Sequence, residues 1–252
     1  MASQWRLSSC SCAGQSLFLC LLFVSALDVA AWAGKRVKVT LAGGAVARGR
    51  EGEGVREFRG LRYAKAARFE VPKLWSPPAG ASATVWFGAS VKCPQASGSS
   101  LVGREDCLFL DVYTPSGAVM APVMVWIHGG GLTDGCKSDY GQLVNLVKED
   151  GVVVVVINYR LNVFGFYSSA NATEPKNLGL RDQIAALKWV KRQAASFGGD
   201  ASRVTIFGES AGGLSVMALR QSPLARGLFH RAISQSSISR PPRRPRPWAE
   251  GV

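Results

Sequence analysis

Histidine is scarce in this chain of 252 residues, with His128 and His230 as the only two. A hydrolytic site that uses an imidazole as its general base therefore has only two candidate side chains in this sequence. Acidic residues are also few, 17 against 30 lysines and arginines, which gives a formal net charge of +13. A basic surface can favour anionic partners. However, the sequence has no nucleic-acid-binding motif with interleaved aromatic residues, so we expect no nucleic-acid partner.

Long apolar runs are missing as well, and no stretch reaches the roughly 20 residues that a transmembrane helix needs. The apolar run at 17–24 follows a weakly positive start at Arg6 and precedes small residues that end at Ala26 and again at Ala33. This order is typical of a secretory signal peptide. We therefore predict a signal segment over 1–33, cleaved after Ala26 or Ala33, and a protein that is secreted or held in the secretory-pathway lumen without a stable membrane anchor.

Cysteines are few once that segment is removed, because only Cys93, Cys107 and Cys136 remain. Two of the three can pair in an oxidising compartment, and the short Gly/Ser-rich stretch between Cys93 and Cys107 favours those two. Cys136 is then a free thiol, or it pairs with something that this chain lacks. The sequon at Asn171 predicts N-glycosylation, which also suits a secreted protein.

Strand patterns alternate with helical patterns along most of the chain. The apolar runs at 123–127 and 152–157 are typical of strands buried on both faces, and apolar residues recur at helical spacing from Leu180 to Phe197. This alternation indicates an α/β fold with a largely parallel sheet. We also predict strands at 37–40, 55–63, 108–114, 203–207 and 232–234, a crossover helix over 140–150 and irregular structure over 65–100.

The most informative motif is the run Gly208-Glu209-Ser210-Ala211-Gly212. It follows the predicted strand at 203–207 and precedes a predicted helix that extends to about Ser222. A strand, a sharp turn and a helix in this order present a serine hydroxyl as a nucleophile. The pattern therefore predicts Ser210 as the nucleophile of an acyl-transfer reaction.

A second motif, His128-Gly129-Gly130-Gly131, directly follows the apolar strand at 123–127. Acyl transfer places negative charge on the carbonyl oxygen of the substrate, and preorganised N–H donors must stabilise it. A glycine run lets the backbone approach the substrate closely. We predict an oxyanion hole formed by the N–H groups of Gly130, Gly131 and Ala211.

Together these motifs resemble the N-terminal part of the type-B carboxylesterase and cholinesterase family, from about residue 37 to residue 236. The resemblance implies an α/β-hydrolase fold, a serine-dependent hydrolase that acts on a small-molecule carboxylic ester, and a disulfide between Cys93 and Cys107. We expect neither a cofactor nor a metal. The resemblance is carried, in the family's order, by segments 58–64, 68–69, 93–95, 105–115, 125–131, 158–160, 164–166, 177–183, 197–200, 208–212 and 228–236.

Two local departures from the family bear on specificity. The stretch between Cys93 and Cys107 contains no tryptophan, whereas cholinesterases carry one there to hold a quaternary ammonium group by cation–π attraction. This argues against a specialist for choline esters. The segment 64–68 is shorter than the family's usual Pro-Pro-Gly segment, so the local surface loop is expected to differ.

The largest departure concerns the base. In this family the acid and the histidine of the triad follow the nucleophile in the chain. His128 opens the glycine loop, and His230 lies in a stretch that the family has without using it as a base. We expect neither to serve Ser210, and without a histidine Asp200 and Glu209 have nothing to orient.

We therefore expect an α/β-hydrolase fold truncated after the nucleophile helix and the following strand, with a domain over 34–236 that lacks the acid and the histidine of the triad. The Pro/Arg-rich tail at 237–252 cannot build a core and is expected to be disordered. The alternative is a non-catalytic secreted protein that acts in binding or adhesion, which needs neither Ser210 nor the glycine loop. An anion binder, suggested by charge alone, predicts salt-sensitive binding that is lost when residues 240–246 are deleted.

Overall fold

The computed structural model describes residues 34–84, 88, 90–168 and 175–237, and strands alternate with helices in the C-terminal part of these residues. The predicted signal segment, Asn171 and almost all of the predicted tail lie outside these residues. The strands are β1 (Lys35–Thr40), β2 (Val46–Gly52), β3 (Val55–Arg62), β4 (Ala64–Lys65), β5 (Lys73–Leu74), β6 (Gln95–Ser97), β7 (Ser100–Val102), β8 (Phe109–Pro115), β9 (Ala121–Ile127), β10 (Val153–Ile157), β11 (Gly199–Glu209) and β12 (Arg231–Gln235). The helices are α1 (Val144–Asp150), α2 (Asn162–Phe166), α3 (Leu178–Gln193) and α4 (Ala211–Gln221), with 3₁₀ turns at Lys137–Leu143, Ala194–Phe197 and Pro223–Ala225.

One eight-stranded sheet carries the fold, in the order β1-β2-β3-β8-β10-β9-β11-β12. In one half of the sheet, β10, β9, β11 and β12 run parallel to one another. In the other half, β1, β2, β3 and β8 each run antiparallel to the next strand, and β8 is also antiparallel to β10. The prediction of a largely parallel sheet is therefore wrong for the N-terminal half. Glu53 and Gly54 join β2 to β3 with φ values of 49° and 75°, and such a two-residue turn permits only antiparallel pairing.

Several predicted elements are present with shifted bounds. The strand predicted at 203–207 lies inside the longer β11, and the helix predicted over 140–150 begins as a 3₁₀ turn and continues as α1. The prediction of wholly irregular structure over 65–100 is wrong in two places, because β4 pairs with β5 and β6 pairs with β7 as short hairpins. These strands have two or three residues each, too few for a clear alternation of apolar and polar residues.

Both faces of β9 and β10 are largely buried, as their apolar runs predict. In β10, Val153 and Val155 pack in the larger core with α3 and α4, whereas Val154 and Val156 pack in a smaller core with Val147 of α1. Each fully buried aliphatic side chain contributes about 1.5–3 kcal/mol to folding. None of the helices within the described ranges has the length and apolar character that crossing a bilayer would require.

A buried ion pair fixes the segment that leaves β10. The Arg160 guanidinium donates to both carboxylate oxygens of Asp182 in α3, at 2.7 and 2.8 Å, and the Arg160 backbone N–H donates to one of them at 3.0 Å. Burial raises the pKa of Asp182, and the hydrogen bonds from Arg160 oppose that rise. Removing one partner of such a pair leaves an uncompensated buried charge, so this segment is firmly held against α3.

Candidate active site

Ser210 stands at the sharp turn between β11 and α4. Its backbone has φ 56° and ψ −119°, a conformation that a non-glycine residue seldom adopts. The Ser210 N–H donates to the Gln235 carbonyl of β12 at 2.9 Å, and the Ser210 carbonyl accepts from the Leu214 N–H at 2.9 Å. The residue is exposed at the carboxyl end of β11, so the predicted nucleophile has the backbone of a nucleophile elbow.

The glycines of the elbow are required by close packing rather than by a positive φ. A β-carbon on Gly212 would lie 2.0 Å from the Ile127 carbonyl oxygen, and one on Gly208 would lie 2.6 Å from the same atom. Any side chain at either position would push the elbow away from the end of β9. The G-x-S-x-G pattern thus keeps the elbow in contact with the strand that leads into the glycine loop.

The glycine loop, residues 128–135, lies directly against the elbow through Gly129. A β-carbon on Gly129 would be 2.8 Å from the Glu209 carbonyl oxygen and 3.4 Å from the Ser210 β-carbon. Gly130 and Gly131 have φ values of 95° and 61°, which favour glycine. The two motifs singled out in the sequence are therefore neighbours in space.

A closed turn orients the peptide between Gly130 and Gly131. The Gly130 carbonyl accepts from the Thr133 N–H at 2.9 Å, the Asp134 N–H at 3.0 Å and the Thr133 hydroxyl at 3.1 Å. In a trans peptide the N–H points opposite to the carbonyl, so the Gly131 N–H points away from this turn. Within the described ranges neither Gly130 nor Gly131 donates to a backbone acceptor.

Three polar side chains clamp the loop from outside. The Tyr159 hydroxyl donates to the His128 carbonyl at 2.8 Å. The Asn162 amide donates to the Thr133 carbonyl at 2.7 Å, while its backbone N–H donates to the Leu132 carbonyl at 2.8 Å. Gln95 exchanges two hydrogen bonds of 3.0 Å with the Gly135 backbone. Sequence reasoning missed these roles, because a hydrogen bond to a distant backbone group leaves no local pattern.

His128 is enclosed and neutral. Its ring stacks on Tyr159 with a centroid distance of 4.3 Å, and its Nδ1 lies 2.9 Å from the Gly129 carbonyl oxygen. Burial lowers the pKa of His128 to about 4. The side chain therefore packs inside the glycine loop, and among the described residues it makes no hydrogen bond to Ser210.

His230 lies beside the middle of β11, well away from the elbow. Its backbone N–H donates to the Val204 carbonyl at 2.8 Å, and its Nδ1 accepts from the Val204 N–H at 3.2 Å. At roughly 3.3 Å per residue of strand, Val204 is about 20 Å from Ser210. Asp200 lies still farther along β11, where hydrogen bonds from Ser202 lower the pKa of its carboxyl to about 2. The structure thus brings neither His230 nor Asp200 to the elbow.

A disulfide joins Cys93 to Cys107, beside the clamp formed by Gln95. Cys136 is a buried free thiol whose Sγ lies 3.0 Å from the Ser138 hydroxyl. The hairpin β6–β7 lies between the paired cysteines and carries the strongly exposed Leu101. The segment joined by the disulfide therefore borders the glycine loop.

Known proteins share much of this sequence. A model of the carboxylesterase family matches residues 35–243. Carboxylesterase 1D of Mus musculus is 54% identical over 138 residues, which cover 54% of this chain and 24% of the mouse protein. The liver carboxylesterase of Sus scrofa is 53% identical over 138 residues, with coverage of 54% and 24%.

Solved structures share the fold as well. A PNB esterase has 40% sequence identity and a TM-score of 0.70, and the match covers 81% of this chain and 44% of that chain. The juvenile hormone esterase from Manduca sexta, solved with OTFP covalently attached, has 35% identity and a TM-score of 0.71, with coverage of 81% and 42%. The chain thus spans less than half the length of these esterases.

Proposed function

The chain belongs to the carboxylesterase family, and on that premise we propose that it supplies the nucleophile and the oxyanion hole of a serine hydrolase of carboxylic esters. Ser210 is the proposed nucleophile, and the N–H groups of Gly130, Gly131 and Ala211 are the proposed oxyanion donors. The observation that carries the proposal is the contact between the elbow and the glycine loop, where Gly129 approaches Ser210. A protein that only binds a partner needs no such arrangement.

The proposed reaction has two steps. The Ser210 oxygen attacks the carbonyl carbon of the ester, its proton passes to a general base, and the carbonyl electrons move onto the oxygen. The tetrahedral intermediate then collapses, and the alcohol leaves with that proton. Water attacks the acyl-serine in the second step, releasing the carboxylic acid and restoring Ser210.

The oxyanion donors supply most of the stabilisation that this chain offers to the reaction. Loss of one such donor typically costs about 2.7–4 kcal/mol of transition-state stabilisation. The Ala211 N–H is the first of α4, so it lacks a carbonyl one turn earlier to bond with. The partial positive charge at the start of α4 also favours a developing oxyanion.

The proposed reaction needs a general base that neither histidine of this sequence supplies. His128 is buried in the glycine loop, and His230 bonds Val204 in the middle of β11, six residues before Ser210. We propose that the histidine and the carboxylate that orients it come from the part of the family's length that this sequence does not span. This matches the family's order, in which both follow the nucleophile.

The segment between Cys93 and Cys107 supports proposals about the substrate and about the cellular compartment. The absence of tryptophan between Cys93 and Cys107 supports a small ester without a choline group. The disulfide between these cysteines supports an oxidising compartment, and with it the proposed signal segment over 1–33 and glycosylation at Asn171. The Pro/Arg-rich tail at 237–252 is proposed to lie outside the hydrolase domain.

Turnover of p-nitrophenyl butyrate tests the proposal. The protein is produced from the longest transcript that contains this sequence, with Ser210→Ala as the matched control. We expect the substitution to lower kcat on the order of 10⁶-fold, as loss of the nucleophile does in other serine hydrolases. Absence of turnover in a folded protein with Ser210 intact would instead favour the non-catalytic alternative.

A further inference from the structure

Four exposed basic side chains share the outward face of the hairpin β1–β2. In the strand register, Arg36 lies directly opposite Arg50, and Lys38 lies directly opposite Arg48. All four are exposed. Because side chains alternate along a strand, the intervening Val37 and Val39 face inward, where they pack against the larger core. We call Arg36, Lys38, Arg48 and Arg50 the basic face.

This arrangement works against the stability of the hairpin. Like charges directly opposite each other on neighbouring strands are destabilising, and the basic face contains two such pairs. One carboxylate follows in register on this side, Glu57 of β3, opposite Arg50. Glu51 lies opposite Lys35 and Arg56 on the other side of the sheet. The repulsion between Lys38 and Arg48 is therefore relieved best by an anion that lies across the two strands.

We propose that the basic face binds a sulfated polysaccharide chain. Residues two apart on a strand are about 7 Å apart, and neighbouring strands are about 5 Å apart, so the four cations form a compact grid. Arginine donates paired hydrogen bonds to oxyanions, and a chain with regularly spaced sulfate groups matches such a grid. The attraction is electrostatic and needs no groove.

A sulfated glycan fits this face better than a nucleic acid does. The other residues on the same face, Thr40 and Val46, are not aromatic, so the face lacks the stacking platform on which nucleic-acid bases lie. The disulfide between Cys93 and Cys107 is typical of oxidising compartments outside the cytosol. Acidic glycans, rather than nucleic acids, are the polyanions met there.

The test measures binding of the purified 252-residue chain to heparin at several salt concentrations. The variant Lys38→Gln/Arg48→Gln removes one like-charged pair. The matched control Arg220→Gln/Arg226→Gln removes the same charge from exposed positions in and just after α4, and a third protein lacks residues 240–246. We expect the pair variant to bind heparin about tenfold more weakly with a shallower salt dependence, while the control and the deletion change the affinity less than about twofold.

Thermal melting shows whether the pair variant is folded. Because it removes a like-charged pair, its melting temperature is expected to equal or exceed that of the unmodified chain, and Lys38→Gln alone gives a smaller effect in the same direction. The proposal is overturned if the unmodified chain does not bind heparin. It is also overturned if the control pair or the tail deletion weakens binding as much as the pair variant, or if duplex DNA binds as tightly as heparin. None of these outcomes depends on ester hydrolysis.

Discussion

At Gly212 the backbone of α4 approaches the end of β9 so closely that a methyl group does not fit. A β-carbon there would lie 2.0 Å from the Ile127 carbonyl oxygen. Alanine is the better helix former by about 1 kcal/mol, but overpacking of a well-packed site typically costs about 1–3 kcal/mol. We expect Gly212→Ala to lower the free energy of unfolding in urea, because the steric effect exceeds the gain in helix propensity.

Gly141 offers the matched control for that substitution. A β-carbon at Gly141 meets nothing within 4 Å, so Gly141→Ala is expected to leave stability within about 0.5 kcal/mol of the unmodified chain. Equal stability of the two variants would contradict the packing account of the elbow glycines.

His128 makes stability depend on pH in a defined window. Burial lowers its pKa from 6.5 to about 4, so between these values the unfolded chain binds the proton and the folded chain does not. The stabilising contribution is present above pH 6.5 and is lost as pH falls towards 4; at full extent it amounts to about 3 kcal/mol.

Urea unfolding at pH 4.5, 5.5 and 7 measures this contribution. The variant His128→Gln serves as the reference, because the other titrating groups are common to both proteins. We expect the stability of the unmodified chain to fall more steeply than that of the variant as pH is lowered. Parallel pH profiles would show that the imidazole of His128 is not held neutral by burial.

Among the structural elements, the start of α2 holds the glycine loop. Asn162 has φ 53°, and its amide donates to the Thr133 carbonyl at 2.7 Å and to the Pro94 carbonyl at 3.2 Å. Asn162→Gly keeps the positive φ and removes both amide bonds, whereas Asn162→Ala also strains the backbone by about 1–2 kcal/mol.

Hydrogen exchange at the Thr133 and Asp134 amides measures the effect, since both bond to the Gly130 carbonyl. We expect the opening free energy of these amides to fall by about 1 kcal/mol in Asn162→Gly, which makes their exchange faster. Exchange is expected to be faster still in Asn162→Ala. Unchanged exchange in both variants would mean that α2 does not position the loop.

The sequence predicts the elements with strong local signals. β9, β10 and α3 follow from apolar runs and from helical spacing, and Ser210 and the glycine loop follow from short motifs with a strand before them. The antiparallel half of the sheet does not follow, because its direction depends on turns such as Glu53-Gly54, where two positive φ values close the hairpin. The clamps at Tyr159, Asn162 and Gln95 are missed for a related reason, since their partners are distant backbone groups.

Across the whole molecule, the parallel half of the sheet brings the candidate site together. The glycine loop follows β9 and Ser210 follows β11, and these strands are parallel neighbours, so both motifs emerge at the same edge. Ligands of open α/β sheets bind at the carboxyl ends of the strands. The basic face lies on the hairpin β1–β2, at the opposite end of the strand order, so substrate and polyanion would occupy separate surfaces.

Covalent labelling of Ser210 tests the central claim most directly. An organophosphonate p-nitrophenyl ester is incubated with the protein from the longest transcript that contains this sequence, and its peptides are analysed by mass spectrometry. We predict one adduct, on the peptide that carries Ser210, with release of p-nitrophenol and no adduct in Ser210→Ala. An unmodified Ser210, or an adduct that persists at another residue in Ser210→Ala, would contradict the account.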